Sequence, residues 1–133
     1  MFPTEPQGDP LREWLVSCNL LRDTLPDDVL VLPAHETPFY GLHARMGQLI
    51  REHNDDLRTL FHDLVKPRRA VDCFASLFRR EIDDSSIGLA TGETLAHLNC
   101  LLGHRRITRT RDEHGVDWYQ NIPEQAEYDR NAA

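Results

Sequence analysis

The chain has 133 residues, enough for one domain with an appended arm and for one moderate hydrophobic core. A hydrophobic share of 40% beside 28% charged residues is ordinary for a soluble globular protein and excludes a disordered or membrane-embedded class. The net charge of -7 disfavours indiscriminate binding to polyanions, and no apolar run reaches the roughly 20 residues of a membrane-spanning helix.

From the start, MFPTEPQGDP has no cationic region followed by an apolar stretch, so a secretory signal is not expected. Pro3, Pro6, Gly8 and Pro10 mark an extended lead-in, and Asp9-Pro10 reads as an N-cap with proline at the first helical position. Leu11, Trp14, Leu15, Cys18 and Leu21 recur at helical spacing, which predicts an amphipathic helix over 10–24. After the turn Leu25-Pro26-Asp27-Asp28, the run Val29-Leu30-Val31-Leu32, closed by Pro33, predicts a buried strand. No partner strand precedes it in the sequence. Buried unpaired backbone groups are costly, so its partners are expected elsewhere.

The longest periodic segment follows the loop Pro33 to Gly41. Leu42, Met46, Leu49, Ile50, His53, Leu57, Leu60, Phe61 and Leu64 trace one stripe on a helix of about six turns that ends before Pro67. A second helix is expected to bury Val71, Phe74, Leu77 and Phe78, and a third, capped by Ser85 or Ser86, to carry Leu89, Ala90, Leu95, Leu98 and Leu101 and stop at Gly103. Ile107 to Thr110 and Val116 to Tyr119, flanking Asp112 to Gly115, predict a β-hairpin. The fold class expected is mainly α with a small β-hairpin, and three helices followed by a hairpin is the order of a winged helix. Residues 121–133 are expected to be a flexible tail with an acidic end at Glu124, Glu127 and Asp129.

Cys18, Cys73 and Cys100 are widely spaced within apolar helical patterns and read as buried thiols in a reducing cytoplasm. Charge is uneven: residues 1–36 hold seven acids and two arginines, while Lys66, Arg68, Arg69, Arg79 and Arg80 gather farther on. Arg105, Arg106, Arg109 and Arg111 lie in the wing, where they are candidate nucleic-acid contacts, or else a solvated strand face or a contact with the acidic N-terminal arm. His53 is expected as a satisfied core or boundary histidine. Glu93 and His97 stand one helical turn apart, a spacing that serves a helix-stabilising or interface bond, or a substrate or acid–base pair. His35 opens the loop after the strand. A lone loop histidine is usually a surface or hydrogen-bonding residue, although neutral imidazole is also a common zinc ligand.

Several short motifs in order add to this. Leu30-Val31-Leu32-Pro33-Ala34-His35-Glu36, then Pro38-Phe39-Tyr40-Gly41-Leu42-His43-Ala44-Arg45, resembles the last strand and following helix of metallo-beta-lactamase-fold hydrolases. Upstream, Asp9-Pro10-Leu11, Ser17 and Leu20 to Leu25 are similar to the helix before that strand. Leu77-Phe78-Arg79-Arg80, Gly92-Glu93-Thr94-Leu95-Ala96-His97-Leu98 and Gly115-Val116 are similar to the appended C-terminal region. Ala34 departs from the glycine common before the histidine. The resemblance, to the glyoxalase-II-like and endoribonuclease-like members, implies that residues 1–40 are the last helix, strand and loop of an αββα hydrolase core and that 41–120 form a winged-helix-like C-terminal domain.

The resemblance further implies that His35 is a ligand of a dinuclear metal site, usually zinc, in the complete enzyme. The upstream His-x-His-x-Asp-His signature is absent from this sequence. Catalytic zinc takes about three protein ligands, so no catalytic residue is assigned here and no zinc is expected on this chain alone. The expected partner is the upstream core, with a homodimer left open, no membrane, and a cytoplasmic location. The rival is a stand-alone winged-helix module that binds nucleic acid or protein.

Overall fold

The computed structural model of the chain describes residue 5 and residues 7–123. Four α-helices are present among them: α1 (Pro10–Thr24), α2 (Leu42–Asp63), the single turn α3 (Phe74–Leu77) and α4 (Ile87–Gly103), with a 3-10 turn at Ala70–Cys73 leading into α3. Strands β1 (Ile107–Arg111) and β2 (Asp117–Asn121) pair antiparallel, placing Ile107 opposite Asn121 and Arg109 opposite Tyr119. The architecture is mainly helical with one two-stranded hairpin. No helix among the described residues is long and apolar enough to cross a membrane. The chain divides into two compact units, Met1–Leu11 with Asp56–Ala133, and Arg12–Asp55.

In the unit that holds the hairpin, the apolar stripe of the second half of α2 supplies Leu60, Phe61 and Leu64. These pack with Cys73, with Leu98 and Leu101 of α4, and with Ile107 and Tyr119 of the two strands. The carbonyls that end α2 have no partner within the helix, and an end left bare inside a fold is costly. Here β2 satisfies them. The Asn121 side-chain amide donates to the Phe61 carbonyl at 3.0 Å and its backbone N–H to the Leu64 carbonyl at 2.8 Å. Gln120 reaches the Val65 carbonyl at 3.1 Å, and Tyr119 and Arg68 exchange two backbone bonds at 2.8 and 2.9 Å. The hairpin is therefore sewn to the end of α2 by its second strand.

The hairpin turn is built on Asp112, whose Oδ1 accepts from the backbone N–H of His114 and Val116, both at 2.9 Å, while Oδ2 accepts from Trp118 Nε1 at 2.8 Å. Gly115, at φ 79°, takes the left-handed step that closes it. Tyr119 is buried and Trp118 lies under the Arg69 guanidinium, 5.7 Å from the ring centroid, so both aromatics pack the hairpin, as expected.

Helix α4 ends at Gly103, but glycine is not what caps it. The N–H of Arg106 bonds the Leu101 carbonyl and that of Arg105 the Leu102 carbonyl, both at 2.9 Å, with Arg105 itself left-handed at φ 55°. That is a Schellman closure with an arginine where glycine is usual. Gly103 answers a different demand, since a Cβ there would lie 3.0 Å from Asp9 Oδ2. Asn99 Nδ2 also donates to the Gly8 carbonyl at 2.9 Å, so residues 8–9 are held against the C-terminal half of α4.

The expected second helix is shorter than its periodicity implied. Only the 3-10 turn and one α-turn form, and Val71 is exposed while Cys73 takes the buried position. The tail begins later than expected: Asn121 is bonded as above, and the Ile122 N–H donates to the Arg106 carbonyl at 2.9 Å. Residues 124–133, with the acidic end, and the prolines Pro3 and Pro6 lie outside the described residues.

In the unit Arg12–Asp55, Cys18 and Leu42 are buried, and Trp14 meets His53 edge-on with ring centroids 4.9 Å apart. His53 is thus packed at a boundary. Asp27 caps α2 from a distance, its Oδ1 accepting from the His43 N–H at 2.7 Å, while His43 Nε2 donates to the Leu25 carbonyl at 2.7 Å. The segment 29–32 is not the buried strand that its composition predicts. It makes a single bridge, Val31 with Phe39, and Leu30 and Leu32 are exposed.

Two substitutions test this account. Arg105→Gly removes the left-handed strain and should raise stability by about 1 kcal/mol in a thermal or urea melt. Asn121→Ala, which deletes the bond to Phe61, should lower it by about 1 kcal/mol.

Candidate functional site

His35 occupies the loop closed by the Val31–Phe39 bridge, whose two backbone bonds measure 2.8 and 3.1 Å. Its side chain is exposed, and the next residue, Glu36, is left-handed at φ 70°. A non-glycine residue in that region is uncommon and marks a loop whose shape is imposed by its surroundings. Among the described residues, no cluster of three His, Cys, Asp or Glu side chains with metal-binding spacing includes His35. One imidazole fixes neither the position of an ion nor the acidity of its water. The described residues do not fit a zinc centre at His35 by themselves.

Glu93 and His97 are one turn apart on α4, but their bond is not between side chains. His97 Nδ1 lies 2.9 Å from the Glu93 backbone carbonyl, and because a carbonyl only accepts, Nδ1 carries the proton. His97 is buried and the Glu93 side chain is exposed. A carboxylate oxygen of Asp56, on the second half of α2, lies within 4.8 Å of a His97 ring nitrogen. A carboxylate beside a buried imidazole orients the ring. Sequence reasoning missed Asp56. Its signal was position alone, since it stands one turn before Leu60 in line with the apolar stripe.

The arginines of the wing are largely engaged within their own unit. Arg111 forms a two-bond pair with Asp117, at 2.8 and 3.0 Å. Arg109 stands opposite Tyr119 in the strand register. Arg106 is half-buried with its guanidinium 5.1 Å from the centroid of the Phe61 ring, and Arg105 caps α4. Of these side chains, Arg105, Arg109 and Arg111 are exposed.

With this geometry in place, the similarities to known proteins can be set beside it. Residues 57–122 match the profile of the metallo-beta-lactamase-like C-terminal domain. That stretch contains the core of the hairpin unit, from Leu60 on α2 through α4 to Asn121. Among solved structures, a beta-lactamase domain protein from Burkholderia ambifaria is 35% identical over 92% of this chain, with a TM-score of 0.86. A metallo-beta-lactamase family protein from Thermus thermophilus is 25% identical over 86% of it, with a TM-score of 0.71. The chain covers 36% of the first protein and 34% of the second, about a third of each. No curated protein matches it in sequence. Residues 57–122 are thus similar to the C-terminal domain of metallo-beta-lactamase-like proteins, and the stand-alone nucleic-acid module is not favoured.

Carboxylates held by donors set the acid limb of stability. Hydrogen bonds from Ser86 and Ser85 bring Asp83 down to about 2, the Arg69 pair lowers Asp72, the Trp118 N–H lowers Asp112 and the Arg111 pair lowers Asp117. Lowered carboxylates contribute fully above their ordinary range, about 4, and lose that contribution as pH falls through the folded values. The melting temperature should therefore fall as pH drops from about 4 to about 2. Circular-dichroism melts should show Asp83→Asn with a shallower fall.

Proposed function

We propose that this chain is the C-terminal section of a zinc-dependent metallo-beta-lactamase-fold hydrolase that acts on thioesters, other esters or phosphodiesters. The match over residues 57–122 carries the proposal, and the exposed imidazole of His35 is of the type that ligates zinc. In this proposal residues 1–40 are the last helix, strand and loop of the αββα core. Residues 41–120 are a winged-helix-like domain that shapes the substrate entrance, and 121–133 are a tail.

His35 gives one ligand to a dinuclear centre whose other ligands lie outside this sequence. Bound zinc would supply a Lewis acid and a water acidified toward neutrality. The chain's own part is to hold the imidazole at the mouth of a loop pinned by the Val31–Phe39 bridge. His97, tied to the Glu93 carbonyl inside α4, keeps the helix and its packing rigid behind the entrance rather than touching substrate. The setting is cytoplasmic, where three thiols outside any disulfide persist.

Zinc titration followed by calorimetry tests this directly. The 133-residue chain should bind no zinc tightly and hydrolyse no generic thioester. Stoichiometric tight binding that His35→Ala abolishes, or thioester turnover by this chain alone, would overturn the proposal.

A further inference from the structure

The register of the hairpin decides which backbone groups of β1 are already used. Tyr119 lies opposite Arg109, yet it gives its N–H and C=O to Arg68, at 2.8 and 2.9 Å. Opposite residues of an antiparallel pair alternate between bonded and unbonded positions, and at an unbonded position the N–H and C=O turn away from the partner. Arg109, and with it Ile107 and Arg111, therefore directs these groups to the outer edge of β1. Outside the hairpin, no backbone bond among the described residues engages any of the three. Thr108, Arg109, Thr110 and Arg111 are all exposed. An edge of this kind is a template for one more strand.

We propose that the outer edge of β1 docks an extended acidic segment of a partner protein, which adds as an antiparallel strand and sets a carboxylate opposite Arg109. Charge selects this occupant. Arg111 is held by two bonds to Asp117, at 2.8 and 3.0 Å, so Arg109 is the cation that an incoming strand meets midway along the edge. A second copy of the chain does not suit it. Twofold pairing centred on Arg109 places that residue against its own copy, and moving the centre by one residue sets Arg109 against Arg111, or Arg105 against Arg111. Like charges directly opposite destabilise a strand pair, whereas opposite charges stabilise it. A polynucleotide is the poorer match for the backbone half of the edge. The outward carbonyls need N–H donors, and a phosphodiester offers acceptors only. Facing Thr108 and Thr110, β-branched residues of the partner pack best. The proposal stands independently of any metal role for His35.

Amide exchange read by NMR on the full chain tests this with a capped peptide, Glu-Val-Glu-Val-Leu, whose second glutamate falls opposite Arg109. At about 1 mM peptide the Arg109 and Arg111 amides should slow by about tenfold or more. The Thr108 and Thr110 amides, already bonded within the hairpin, should change little. The same peptide N-methylated at its second glutamate lacks the donor for the Arg109 carbonyl and should cause no slowing. Lysine in place of both glutamates should abolish it as well. Arg109→Glu should reverse the preference, so that the lysine peptide slows the edge amides and the glutamate peptide does not.

Unchanged exchange with the glutamate peptide overturns the proposal. Equal slowing by the N-methylated or the lysine peptide does so too, because the contact is then not a paired strand or is not read by charge. Both of these arms use the unaltered chain, so they decide the matter even where Arg109→Glu fails to fold. Slowing present without peptide and lost on dilution also overturns it, since a second copy is then the occupant. Stronger slowing by single-stranded RNA than by the glutamate peptide has the same force, since the edge then reads phosphate.

Discussion

The C-terminal end of α2 is the point on which the hairpin unit depends. A helix cannot satisfy its last carbonyls by itself, and this one ends against the core, where water cannot serve every one of them. Asn121 and Tyr119 of β2 supply the missing donors at the end of α2 and in the segment that leaves it, and in doing so fix where the hairpin lies. With the strand placed, Tyr119 and Ile107 close over Leu60, Phe61 and Leu64, and α4 completes the enclosure with Leu98 and Leu101. Polar satisfaction and apolar burial thus specify the same arrangement, which is how a small core obtains one packing rather than several.

Much of this unit could be read from residue order. The stripe Leu57, Leu60, Phe61, Leu64 and the run Leu95, Leu98, Leu101 fall on the faces that are buried, because side-chain period and burial share one geometry. The hairpin followed from β-branched residues around Asp112 and Gly115. What escaped is of another kind. The Asn121 bonds join residues 60 positions apart, and no local pattern announces such a partner. Arg105 occupies a left-handed cap that glycine normally fills, so the nearby Gly103 looked like the terminator although its lack of a side chain serves Asp9 instead. Val71 sits on a helical stripe that the 3-10 turn breaks, which turns it outward.

The other unit inverts this relation between sequence and structure. Val29 to Leu32 have the composition of an interior strand, yet Leu30 and Leu32 face outward. Local composition there records an environment that the remaining residues of the unit do not supply. The same holds for His35, whose motif resembles that of a metal ligand while its neighbours provide no coordination. Both features belong to one short stretch.

The three cysteines carry a practical consequence. All are buried and none is in a disulfide, Cys18 in one unit and Cys73 and Cys100 in the other. Burial raises the Cys18 thiol and pushes Cys73 up to about 11, so neither forms the nucleophilic thiolate while its surroundings stay closed. Alkylating reagents can then reach each sulfur only through opening, and the rate at each position becomes a gauge of the local free energy of the unit that contains it. The polypeptide carries its own site-resolved stability probe, with no label to introduce.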